Sequence, residues 1–120
     1  MQLPLQITFR DVPPSDAVAA YVRKHVAKLE KFFDRITSCR VVIESPTRAH
    51  HRHGAAFRIL IDIAVPGDVL IVGRKPEDES SMLDVYAAID SSFDDMRRRL
   101  DDWAGIRRGE VKFHARPSLP

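Results

Sequence analysis

Only one cysteine, Cys39, occurs in the 120 residues, which excludes an internal disulfide and with it the disulfide-stapled small domains. It stands in a β-branched run, Ser38 to Ile43, so a buried, unreactive thiol is expected. No apolar run approaches the roughly 20 residues that span a bilayer. Met1 to Arg10 alternates in polarity where a signal peptide would carry an apolar block, so a soluble, cytoplasmic protein with no membrane partner is expected. The sequence also lacks a Gly-rich phosphate loop, an H-E-x-x-H helix and a G-x-S-x-G elbow. These absences point away from an enzyme: no catalytic residues, no cofactor and no small-molecule substrate are expected. Charge of one sign is scarce as well, because 19 Lys and Arg against 17 Asp and Glu leave a formal net charge of only +2. Whole-molecule attraction to a polyanion is therefore weak, and any nucleic-acid site must come from local clustering.

What is present fits one compact domain, since 120 residues with 44% hydrophobic content are enough for a single core. Leu5, Ile7 and Phe9 alternate with polar residues as in a half-buried strand, and Pro13-Pro14 stops it. Ser15 is a plausible N-cap, and Val18, Val22, Val26, Leu29, Phe33 and Ile36 then recur at helical spacing, predicting a helix from about Asp16 to Asp34. Ser38 to Glu44 and Phe57 to Val65 read as strands, and Pro66-Gly67-Asp68 turns the chain into a fourth strand that ends near Lys75-Pro76. Met82, Tyr86, Ile89, Phe93, Met96, Leu100 and Trp103 mark a second amphipathic helix, with Gly105 as its stop. The acidic Glu77-Asp78-Glu79 before it suits a helix N-terminus. The order β-α-β-β-β-α lets a four-stranded sheet bury one face under two helices, an α+β class. The remaining residues are basic and end in prolines, forming either a tail or an added edge segment.

At about 100° per residue, Lys24, Lys28, Lys31 and Arg35 form one stripe on the first helix, roughly 130° from its apolar centre. Glu30, Asp34 and Arg23 fall on the other flank. Such a row suits a phosphate backbone, each cation neutralising one phosphate; a solvated face kept polar explains it too. On the second helix, Arg97-Arg98-Arg99 lies among Asp94, Asp95, Asp101 and Asp102. Pairs such as Asp94 with Arg98 and Asp95 with Arg99 would each stabilise the helix by a few tenths of a kcal/mol and partly neutralise the arginines. The loop His50-His51-Arg52-His53 raises zinc, but Arg48 and Arg52 would repel a cation and no further ligand stands nearby, so no metal is expected.

Two stretches carry a family resemblance: Val26-Ala27-Lys28-Leu29-Glu30-Lys31-Phe32-Phe33-Asp34-Arg35-Ile36, and Asp84-Val85-Tyr86-Ala87-Ala88-Ile89-Asp90. With the Pro66-Gly67 turn before the fourth strand, they make residues 3 to 103 similar to the ribosome hibernation factors, the hibernation promoting and ribosome-associated translation inhibitor proteins of bacteria. The resemblance implies a β-α-β-β-β-α fold, topologically similar to double-stranded RNA-binding domains. It also implies a stress or stationary-phase inhibitor that binds the small ribosomal subunit and its rRNA and occupies the channel used by messenger and transfer RNA, without chemistry. The family's basic contacts correspond here to Lys28, Lys31 and Arg98; Lys24, Arg35, Arg97 and Arg99 are added from face geometry. In length the chain resembles the short members, so residues 1–105 are expected to be the ribosome-binding domain and 106–120 a basic tail, with no dedicated dimerisation domain. Asp95 and Asp102 stand where the family has lysines on the second helix. Arg107, Arg108, Lys112 and Arg116 either replace that charge or serve another partner. The alternative function is a divergent member that regulates stress through a protein partner without binding ribosomes.

Overall fold

The computed structural model describes residues 3–45, 57–73 and 84–108. They form β1 (Leu5–Arg10), α1 (Asp16–Phe32), β2 (Ser38–Glu44), β3 (Arg58–Val65), β4 (Asp68–Val72) and α2 (Val85–Arg108). The sheet has the order β1-β2-β3-β4, with β1 parallel to β2 and the other neighbours antiparallel. The α+β architecture expected from the sequence is the one observed.

Local chemistry accounts for most boundaries. Ser15 caps α1 from an extended conformation, its Oγ accepting from the Val18 N–H at 3.2 Å, and Asp16 places negative charge in the first turn. In the β3–β4 hairpin, Pro66 supplies a fixed φ and Gly67 takes φ 81°, where a side chain is strained. Gly73 at φ 89° is still more constrained, because a β-carbon there would collide with the Ile59 carbonyl oxygen. β4 correspondingly ends at Val72, short of the end expected near Lys75-Pro76.

Two helix ends differ from expectation. α1 stops at Phe32, because Phe33 leaves helical geometry (φ −131°, ψ 86°) while its N–H still donates to the Leu29 carbonyl at 2.8 Å. The turn that follows folds both Phe33 and Ile36 into the core and carries Arg35 off the helical face. α2, by contrast, runs through Gly105 to Arg108. One glycine costs a helix roughly 1 kcal/mol relative to alanine, too little to end one whose preceding turns are fastened in the core by Met96 and Leu100.

Both helices pack on one face of the sheet. Val22, Val26 and Leu29 of α1 and Ile89, Phe93, Met96 and Leu100 of α2 enclose Val41, Ile43, Ile59, Ile61 and Ile63. The strict alternation along β3, with Ile59, Ile61, Ile63 and Val65 buried, follows from one face being covered. The opposite face neutralises its own charge across strands: Glu44 receives Arg10 and Arg58 at 3.1 Å each, and Asp62 receives Arg40 at 2.7 Å. Among the described residues, the unpaired cations therefore lie mainly on the helix side.

Candidate nucleic-acid interface

Lys24, Lys28 and Lys31 project from α1 into solvent, as the helical spacing requires for positions opposite the buried stripe. Among the described residues, no ion pair engages them or Arg35, which sits in the turn just beyond the helix. Lys28 does feel the field of Asp90 on α2. The three lysines thus share one helical face, whereas Arg35 stands exposed on the exit turn.

The α2 arginines divide. Arg98 is clamped by two carboxylates of its own helix, Nη1 donating to Asp95 at 2.7 Å and Nη2 to Asp94 at 2.9 Å. Arg97 lies 4.0 Å from Asp101, a loose contact, and Arg99 has no ion pair among the described residues. Asp95 therefore reaches Arg98 and leaves Arg99, against the pairing expected from i, i+4 spacing alone. The i+3 neighbour lies as close on a helix surface, and a guanidinium can serve two carboxylates at once. All three arginines are exposed, so these pairs are weak and open to exchange with an external anion.

Between the helices runs a groove lined by His25, Lys28, Phe32, Asp90, Asp94 and Arg97, among others. Its upper part is a polar knot. Tyr21 Oη donates to Asp90 Oδ1 at 2.6 Å, and His25 Nε2 lies 2.8 Å from the same oxygen. Tyr21 meets Tyr86 edge-on at 4.9 Å between centroids, and His25 stacks on Phe93 at 4.8 Å. The contacts advance in the same direction along both helices, so α1 and α2 lie parallel and the knot sets their register. The Tyr21 hydrogen bond, with help from His25, holds the Asp90 carboxyl below its ordinary value, and that carboxylate in turn raises the Tyr21 hydroxyl. Lys28 and Arg97 are brought to opposite walls of one groove, whereas Arg98 is occupied by its own helix.

Residues 5–108 match the family described as Sigma 54 modulation protein / S30EA ribosomal protein. The chain belongs to this family. It is 28% identical over 95 residues to a ribosome hibernation promotion factor of Deinococcus radiodurans, an alignment covering 79% of this chain and 46% of the relative. The chain thus spans about half the length of that relative. Two solved structures share the fold. A ribosomal subunit interface protein from Coxiella burnetii superposes with TM-score 0.69 at 14% identity, covering 86% of this chain and 99% of that one. The N-terminal domain of Protein Y from Thermus thermophilus gives TM-score 0.64 at 21% identity, with coverage of 84% and 99%.

In this S30EA-family chain, sequence reasoning missed the inter-helix knot. Tyr21 and His25 are four apart on the flank between the apolar and lysine stripes, and Tyr86 and Asp90 show the same spacing on α2. That spacing was a signal, but only packing shows that the two flanks face each other. Cys39 is buried as expected, and burial, with a smaller push from Asp62, raises its thiol to about 12, which leaves no thiolate at neutral pH. His50, His51 and His53 lie outside the described residues, as do Lys112 and Arg116; among the described residues no cluster of His, Cys, Asp and Glu could hold a metal. No described helix is long and apolar enough to cross a membrane.

Proposed function

We propose that this chain is a ribosome hibernation factor that binds the small subunit and its rRNA in the bacterial cytoplasm and blocks translation by occupying the mRNA and tRNA channel. The observation that carries the reading is the row Lys24, Lys28, Lys31 and Arg35, unpaired among the described residues and set on the helix side of an S30EA-family fold. Arg97 and Arg99 extend the row from α2, and Arg98 joins it when phosphate replaces Asp94 and Asp95 on its guanidinium. Phosphate contacts of this kind position a protein on RNA without reading sequence, which suits a structural partner such as rRNA. Inhibition is by occupancy, with no bond made or broken. The name of the Deinococcus relative supports the same role.

The test is co-sedimentation of the purified protein with small ribosomal subunits, alongside a variant carrying Lys28→Glu and Lys31→Glu. Both side chains are solvent-exposed, so the variant should keep its circular dichroism and lose subunit binding by at least about two orders of magnitude through lost and reversed phosphate contacts. Undiminished binding by a folded variant would remove α1 from the interface. Failure of the wild type to bind would move the function to a protein partner.

A further inference from the structure

Phe32, the last residue of α1, is 69% exposed, more than any other large hydrophobic among the described residues. The core does not account for it, because the next residue, Phe33, fills the buried position at this end of the helix. Its surroundings carry both signs of charge, Lys28 and Arg97 with Asp90 and Asp94. Phe32 lines the same inter-helix groove as Lys28, one turn earlier on α1, and Arg97 on α2, and it is followed in the exit turn by Arg35. The carboxylates lining that groove are already engaged: Asp90 Oδ1 takes Tyr21 and His25, and Asp94 takes Arg98.

An exposed aromatic ring beside cations held at most by loose, exposed contacts is the combination that binds unpaired RNA, where a base stacks on the ring and its flanking phosphates meet the charges. We propose that Phe32 is the stacking platform for one unpaired nucleobase, with the adjoining phosphates held by Lys28 and Arg97. This rests on the ribosome-binding reading above and specifies its ligand. The occupant is single-stranded, because a duplex hides the faces of its bases. A protein would have to bring carboxylates matched to Lys28 and Arg97 as well as a group to cover the ring, whereas one nucleotide with its phosphates supplies both, so charge complementarity favours the nucleotide.

Small-subunit binding by the wild type, Phe32→Trp, Phe32→Leu and Phe32→Ala tests the assignment, with Lys28→Glu/Lys31→Glu alongside. Loss of one base stack should weaken Phe32→Ala and Phe32→Leu by about five- to hundredfold. Phe32→Trp should bind as well as the wild type or better, and the salt dependence should be the same for all four because the phosphate contacts are intact. Full binding by Phe32→Leu would mean a generic apolar contact with a protein and would overturn the proposal. So would full binding by Phe32→Ala, and if the double charge variant still fails in that experiment, the ribosome-binding reading survives while the stacking site does not. A wild type that binds no subunits ends both.

Discussion

Asp90 is the residue on which the geometry of the interface turns. One of its oxygens takes both Tyr21 and His25 of α1, so a single carboxylate on α2 links the two helices at the surface. Because the Tyr21 and His25 contacts lower its pKa in the folded protein, its contribution to stability is complete above the ordinary value of 3.8 and disappears as pH falls through the lower folded value. Asp90→Asn should therefore unfold at lower urea than the wild type at about pH 5, and the gap should narrow toward about pH 2.5. Urea midpoints of the two proteins at the two pH values check this; a gap of constant size would show that the carboxylate charge plays no part. The same substitution loosens the register that sets Lys28 opposite Arg97.

At the scale of elements, the two helices treat their charge differently. α1 sorts it by face, and its lysines form no ion pair among the described residues, whereas α2 interleaves Asp and Arg and holds Arg98 in a two-carboxylate clamp. Exposed pairs of this kind are worth only a few tenths of a kcal/mol each, so their removal should leave folding almost unchanged. Asp94→Asn with Asp95→Asn frees Arg98 and removes two negative charges from the helix. Subunit affinity should rise by about tenfold, and the salt slope should steepen by about one phosphate contact. Equal binding by wild type and variant over a salt series would place Arg98 outside the interface, although it is the α2 residue that the family resemblance singled out.

For the molecule as a whole, a net charge of +2 hides a division between faces. Among the described residues, the open side of the sheet pairs Arg10, Arg40 and Arg58 with Glu44 and Asp62, while Lys24, Lys28, Lys31, Arg35 and Arg99 are exposed with no ion pair. With such a small net charge, long-range steering contributes little, so the proposed ribosome binding would draw its affinity from close phosphate contacts. On that basis subunit affinity should fall by roughly two to three orders of magnitude between about 50 and 200 mM salt, measured by co-sedimentation. A nearly flat salt response would indicate a protein-to-protein surface instead.

The element order, the hairpin at Pro66-Gly67, the Ser15 cap and the cation stripe of α1 were all legible in the sequence. Each depends on spacing or on the conformational preference of a single residue, which is local information. The ends of both helices were not, because core burial of Phe33 and Ile36 shortens α1 and the anchored turns of α2 carry it past Gly105. Neither was the partner of Asp95, which has neighbours at i+3 and i+4 and reaches the arginine that can take two carboxylates. The Tyr21–Asp90–His25 knot and the groove that sets Phe32 beside Arg97 join residues more than 60 positions apart in the chain. Spacing along one helix says which side chains share a face, but which faces meet is decided only when both helices settle on the same side of the sheet.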